Sequence, residues 1–359
     1  MDQKISAYQF FILVFMNTLG TAILFIPTHA TTYGKENGWI TVVFATIFGL
    51  LVIAVYNAIF SKEETRSLFV IIDDNFGKWL GSISILFALL FAYFTTFANL
   101  WSIGQFVGLH ILMGTPPEAI VLLVILTCLV GVRYGIEVIG RASEIFLPFT
   151  LISLILLVGL VWPEAQLDNI QPILQTNVAG AFVGIIPVIG ITFLELFCLL
   201  GVIHRVNNIP QAKKAFFIGG LVAGFCMIIV TFACIAVIGV DGTIRHIYSI
   251  YFLGQNISIA EFFERVEGLV AFIWFITIFF KICTNFYFIA IAIKHLGGLK
   301  DFRTVTIPIA YFLFVSAVTS LPNIFYDFEL MNSTYLVYAI LTGFLLPILL
   351  LIVKIARKK

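Results

Sequence analysis

Lys281 and Glu195 are the residues whose chemistry is hardest to ignore, because both stand in stretches almost free of other polar groups. Lys281 lies in 274-WFITIFFKICTNFYF-288 and Glu195 in 190-GITFLELFCLL-200. A charge at the centre of a bilayer costs at least about 2.5–3.5 kcal/mol on insertion scales, so it must face the protein interior and find a partner. Lys281 has three candidate partners: Glu195, the carbonyl end of a half-helix in the first apolar segment, or an anionic group of a ligand. Glu195 serves either a structural hydrogen bond between helices or a protonation or gating role. Thr95, Thr96 and Asn99 form a polar patch elsewhere, and Thr192 stands three residues before Glu195. Such hydroxyls often bond only to their own preceding turn, so their weight here is collective.

Two stretches look built to leave helical geometry. The first, Asn17 to Pro27, reads NTLGTAILFIP; the second, 184-GIIPVIG-190, spaces Gly184, Pro187 and Gly190 three apart. Proline removes an amide donor and crowds the preceding turn, and glycine lowers the cost of non-helical backbone. Exposed amides at a half-helix N-terminus suit a carboxylate, and exposed carbonyls at a C-terminus suit a cation. Together they suit a zwitterion such as an amino acid. The predicted ligand-binding residues are Thr18, Gly20, Thr21, Thr95, Asn99, Gly190, Thr192, Lys281 and Thr284; Glu195, Pro187 and Gly184 are predicted to gate or to support. No phosphate loop, nucleophile elbow or zinc spacing occurs, so no catalytic residue, metal or cofactor is expected. The five cysteines all fall in apolar segments, without metal or disulfide spacing.

The elements that must position these residues follow from composition. Of 359 residues, 61% are hydrophobic and 11% charged, against about 25% charged in soluble domains. The chain is therefore an integral membrane protein, all-α in expectation. A span needs about 20 apolar residues, and ten candidates run roughly 6–30, 38–60, 81–111, 118–134, 143–162, 180–203, 213–239, 267–293, 304–322 and 334–354. With the N-terminus in the cytoplasm, sixteen basic residues fall inside and only Lys35, Arg245 and Arg265 outside. That bias predicts both termini cytoplasmic. No basic, cleavable leader precedes the first span, so it is expected to be retained. Leu68, Phe69, Ile71 and Ile72 predict a short helix within 61–80 on the cytoplasmic interface, and the outer loop near 241–266 is long enough for another. One transmembrane domain fills 1–359. The breaks open the first span of each half, which is the pattern of a 5+5 inverted repeat, about 6–162 and about 180–354, with a ligand site near the midplane.

The chain resembles the B subunits of spore germinant receptors, the spore germination permease family of the amino acid–polyamine–organocation superfamily. The likeness runs through LGTAILFIP (19–27), GWI (38–40), SLF and FGKWLG (67–69, 76–81), MGTPPEAI (113–120), NIQPIL (169–174), FLEL (193–196), and FFERVE with its following Trp274. Relatives tend to Gly-Ala-Gly where this chain has Gly20-Thr21-Ala22, to Arg before Pro172 where it has Gln171, and to neutral residues where it has Lys281. The resemblance implies a LeuT-like fold with helices 1 and 6 broken. It implies a receptor subunit that binds a small germinant, an amino acid above all. That subunit would work beside A and C subunits in the spore inner membrane. The alternative is a secondary amino acid transporter of the same fold; a channel or an enzyme fits less well.

Overall fold

In hydrocarbon every backbone N–H and C=O must be satisfied within the protein, and a run of helices is the direct solution for this composition. The computed structural model describes residues 3–61, 65–175, 177–256, 266–323, 326, 329–331 and 333–357. The chain order is α1 (Ala7–Leu19), α2 (Ala22–Gly34), α3 (Gly38–Ile59), α4 (Leu68–His110), α5 (Pro117–Tyr134) and α6 (Ile136–Val161). A sixth segment follows as α7 (Val178–Val183), α8 (Ile185–Ile189), a π turn (Gly190–Leu194) and 3₁₀ helix (Glu195–Gly201, Ile203–Arg205). Then come α9 (Ile209–Arg245), α10 (Ser249–Asn256), α11 (Glu267–Leu296), α12 (Arg303–Thr319), α13 (Thr334–Ala339), a second π turn (Ile340–Leu345) and α14 (Leu346–Arg357). Among the described residues, eight helical stretches are long and apolar enough to cross a membrane; Ala7–Leu19 and Arg303–Thr319 are apolar but shorter. The protein is a multi-pass membrane protein.

Burial separates a centre from a rim. The apolar windows of the sixth segment and α11 are 83% and 78% buried, against 33% for α5 and for the stretch containing α6. The first two are therefore central, and the last two turn side chains such as Leu123 and Ile155 outward. α1 and α2 pack against α9, and α1 also against α11.

The two interrupted helices differ in kind. α1 starts on a capping box, with Ser6 accepting from Gln9 N at 3.0 Å and Gln9 accepting from Ser6 N at 2.9 Å. It stops at Gly20, whose φ −24 and ψ −95 leave helical space. Pro27 sits inside α2. The sixth segment is broken without an unwound gap, its α-helix giving way at Gly190 to π and then 3₁₀ winding. Gly184 and Gly190 keep right-handed helical angles, and the winding loosens into the π turn only from Gly190, then tightens to 3₁₀. The second π turn lies against the first: a Cβ on Gly343 would come within 2.6 Å of Leu194 O. Loosened turns leave carbonyls to be served. The buried Tyr56 hydroxyl does so from α3, donating to Gly343 O at 2.6 Å and to Leu194 O at 3.3 Å.

Before the long part of α4, Gly77 (φ 79) bends the chain and sets off a short leading helix over 68–76. Leu68, Phe69, Ile71 and Ile72 are all buried in the protein, not offered to a lipid surface. Phe69 packs at a tilt against Phe288, ring centroids 5.4 Å apart. The short helix is thus a protein-docked element, and residues 62–64 of the expected 61–80 stretch lie outside the described residues. At the same end, Ile5 pairs with the exit of the sixth segment, its N–H donating to Arg205 O at 3.0 Å and its carbonyl accepting from Asn207 N at 3.1 Å. At the opposite end, α10 occupies the long loop after α9, and Thr28 donates to His246 O at 2.8 Å. Residues 257–265 lie outside the described residues.

Replacing Tyr56 by Phe keeps the ring and removes a hydroxyl shared by both π turns. Unserved buried carbonyls cost about 1–3 kcal/mol. Thermal unfolding in detergent is expected to shift down accordingly, with normal membrane insertion; an unchanged transition would show that the π turns do not depend on this clamp.

Candidate functional site

The site starts from the absence of a side chain. At Gly20 a Cβ would come 2.7 Å from Lys281 Cδ and 3.3 Å from Lys281 Cβ. The lysine stem crosses the break in the first helix through that slot. Gly20 is thus a passage for Lys281, and its backbone is not part of the cavity wall.

Lys281 is 0% exposed, and its ammonium forms an ion pair with Glu195, itself 6% exposed. Lys281 Nζ also donates to Thr21 Oγ1 at 3.0 Å. Of the three candidate partners, the structure pairs the lysine with Glu195. Thr21 passes the hydrogen bond on, donating to Asn99 Oδ1 at 2.5 Å. Asn99 Nδ2 donates to Thr95 O at 2.7 Å, and Asn285 Nδ2 donates to Thr95 Oγ1 at 3.2 Å. On the other side, the Tyr335 hydroxyl donates to Glu195 and lies 3.3 Å from Gly190 O. One polar network therefore joins α11, the first break, α4, the sixth segment and α13. In low dielectric such a network is strong when complete and costly when one member is missing.

The network walls a small cavity of about 10 Å³ lined by Thr21, Thr95, Asn99, Glu195 and Tyr335, with Phe94, Ala98, Ile191, Leu330 and Met331 as its apolar side. That is room for roughly one water. Aromatic contacts flank Lys281 along α11 in both directions. Seven residues before Lys281 on α11, Trp274 meets Phe106 with centroids 4.7 Å apart, and Phe106 meets Tyr248 and Tyr251 at 5.2 and 5.0 Å. Seven residues after it, Phe288 meets Phe197 at 6.0 Å and fills the notch left by Gly201. Seven residues of helix is about 10 Å, so an aromatic contact flanks the polar centre at that distance on each side along α11.

Of the predicted site residues, Thr21, Thr95, Asn99, Lys281 and Glu195 come together, and Gly190 joins through its carbonyl. Thr284 lies one turn on, locked to Asn17, whose Nδ2 donates to Thr284 Oγ1 at 3.0 Å. Thr18 and Thr192 turn back onto their own helices, donating to Val14 O at 2.9 Å and Val188 O at 2.6 Å. Pro187 is buried within α8, and Gly184 serves close packing, since a Cβ there would meet Tyr33 and Thr41 at 2.9 and 3.0 Å. Three members escape sequence reasoning. Asn17 and Asn285 carry a signal in hindsight, because Asn285 stands one turn from Lys281 on the same helix face. Tyr335 has none, lying 140 residues from Glu195. Asn285 Oδ1 is buried without a hydrogen-bond partner among the described residues, an unfilled acceptor that suits a water or a ligand donor. No group of three or more potential metal ligands occurs among the described residues.

With this geometry in place, comparison with known proteins is informative. Residues 4–325 match the family described as spore germination protein, Spore_permease. Spore germination protein A2 of Bacillus subtilis (strain 168) is 24% identical over 361 residues, covering 99% of this chain and 97% of the relative. Spore germination protein YndE of the same organism is 26% identical over 369 residues, covering 99% and 98%. Among solved structures, the fold is similar to Mhp1, a nucleobase-cation-symport-1 family transporter in a closed conformation (TM-score 0.66, 14% identity, 94% of this chain and 76% of that one). It is also similar to a Na⁺-coupled sialic acid symporter (0.63, 15%, 95% and 79%) and to a manganese transporter of Eremococcus coleocola (0.67, 14%, 96% and 78%). These likenesses concern the fold alone, and they agree with a LeuT-like inverted repeat. From its own residues and from this match, the chain belongs to the spore germination permease family.

Proposed function

We propose that the chain is the membrane-embedded B-type subunit of a nutrient germinant receptor. It binds a small germinant, an amino acid by preference, at the centre of the bundle and triggers germination. Its functional partners are A- and C-type subunits, its place is the spore inner membrane, and both termini face the cytoplasm. The observation that carries this reading is the Lys281–Glu195 pair held across the broken first helix beside a small polar cavity. A charged pair buried this deeply is a poor device for stability alone, since apolar replacements are often as stable. It is a good device for a two-state site, where a ligand shifts the balance only through unequal affinity for the two states. Thr21, Thr95, Asn99, Glu195 and Lys281 contact or surround the ligand. Opening the cavity requires Leu330, Met331 and Phe94 to give way. The second reading, a secondary amino acid transporter, is favoured by the same fold and uses the same pocket.

Removing one partner of a buried ion pair leaves an uncompensated charge and costs about 3–5 kcal/mol. Lys281→Met is therefore expected to lower thermal stability in detergent by about that amount, and adding Glu195→Gln should recover most of it. Spores carrying the double variant at normal level should not respond to germinant; a full response at unchanged concentration dependence would remove the pair from the site.

Gly20→Ala places a methyl in the lysine slot. The response should fall steeply while the protein still reaches the membrane, and Gly20→Leu should abolish it. A normal response from both would mean that the crossing of Lys281 over the break is dispensable.

Uptake of radiolabelled amino acids into proteoliposomes under a proton or sodium gradient separates the two readings. The receptor predicts binding without accumulation; gradient-driven accumulation would favour the transporter.

A further inference from the structure

A groove runs down the side of the bundle between α5 and α11. It begins where α4 ends and α11 starts, as a cavity of about 560 Å³. A second cavity, of about 450 Å³, continues it along α11 and α6 as far as Phe279 and Phe280, and the two share Leu123, Val124 and Phe275. Leu123, Phe272 and Phe275 are 68%, 43% and 40% exposed, so the groove opens sideways to the bilayer. From Glu267 to Phe280 α11 runs thirteen residues, about 20 Å, against a depth of about 15 Å for one leaflet of hydrocarbon. The walls are apolar over this length except for Thr127, whose hydroxyl donates to Leu123 O at 2.8 Å. The other polar side chains gather at the starting end: His110, Tyr251 and Glu267. Glu267 Oε2 is buried and has no hydrogen-bond partner among the described residues. A carboxylate oxygen in that state is costly until a donor reaches it. His110 brings at least one ring N–H in either charge state, and its ring packs against Phe106 and Tyr251, centroids 5.1 Å from each.

We propose that this groove holds a phospholipid whose headgroup carries a primary amine, that is, phosphatidylethanolamine. One acyl chain lies along α11 toward Phe280, the ammonium donates to Glu267, and His110 donates to the phosphate. Apolar walls open to hydrocarbon suit an acyl chain, and water gains nothing by filling them. Charge selects the head. An ammonium supplies both the donor and the positive charge that Glu267 lacks. A glycerol head brings no cation and sets its phosphate beside a carboxylate. A choline head brings the charge without an N–H. The groove shares no lining residue with the central cavity, so lipid and germinant occupy separate places. Phe280 directly precedes Lys281 on α11, and a seated chain therefore braces the helix that carries the buried lysine.

The experiment uses the full chain, purified in detergent. Native mass spectrometry counts retained lipid, and the unfolding temperature is followed in parallel. The added lipids are phosphatidylethanolamine, its N,N-dimethyl form, phosphatidylcholine and phosphatidylglycerol, all with the same acyl chains. Phosphatidylethanolamine is expected to be retained and to raise the transition. The dimethyl form, which keeps one N–H, should follow it, while phosphatidylcholine and phosphatidylglycerol bind about tenfold more weakly, the loss of one charged hydrogen bond. Glu267→Gln should bring phosphatidylethanolamine down to the level of phosphatidylcholine. Thr127→Phe, at an exposed position in the second cavity, should crowd the chain and lower retention. Glu118→Gln, exposed at the same end as Glu267, should change nothing. Retention of phosphatidylcholine or phosphatidylglycerol equal to that of phosphatidylethanolamine overturns the proposal, because the groove would then select no head. It is equally overturned if Glu267→Gln, unfolding normally in phosphatidylcholine, retains phosphatidylethanolamine as the unaltered chain does.

Discussion

The ion pair between Lys281 and Glu195 sets the terms for everything around it. Both charges are buried, so the chain must bring them together across elements far apart in sequence. To reach Glu195, the lysine stem has to cross the first helix, and it can do so only where that helix gives up both its side chain and its regular backbone. The break at Gly20 is thus a steric consequence of the pair as much as a design for a ligand. The sixth segment answers in its own way, loosening into a π turn just before Glu195. Such single π turns are frequent at functional sites, and here the turn places the carboxylate between Lys281 and Tyr335.

What the pair demands, the rest of the bundle supplies in layers. Thr21, Asn99 and Thr95 extend the hydrogen bonding into α4, and Asn285 returns it to α11. Beyond this polar core the packing is aromatic on both sides, and beyond that one end is tied by backbone pairing at Ile5 and the other by the Thr28 hydroxyl on His246 O. The order polar, aromatic, tied repeats outward in both directions from Lys281. It mirrors the inverted repeat without requiring sequence identity between the two halves.

Much of this was legible in the sequence. Composition and segment length gave the helical membrane fold, and the isolation of Lys281 and Glu195 marked them as partners for something. Gly20 stood out as a break, although its use as a slot for a lysine stem depends on contacts no pattern predicts. Other features stayed hidden for one physical reason. Lipid and protein interior are almost equally apolar, so the periodicity that orients a helix in water says little in a membrane. Hence Thr192, with its hydroxyl folded back on Val188, read the same as Thr95, whose hydroxyl also folds back, on Ala92, yet accepts from Asn285 and lines the cavity. Hence too Leu68, Phe69, Ile71 and Ile72 fitted a lipid surface and a protein groove equally well. Tyr335 was invisible because its importance lies wholly in the distant carboxylate it meets. Gly184 and Pro187 looked like the break itself, yet a helix can absorb both when its neighbours pack closely, and the irregular winding fell one turn later.

The paired aromatic layers have an electrical consequence. A hydrated ion moving through the bundle would have to shed its water at the Trp274–Phe106 layer and again at the Phe288–Phe197 layer. Each crossing is a dry step of high energy, and the polar centre between them is only as large as roughly one water. An ion that followed α11 would therefore meet an apolar contact on each side of its one polar station, and the second would still stand if the first opened.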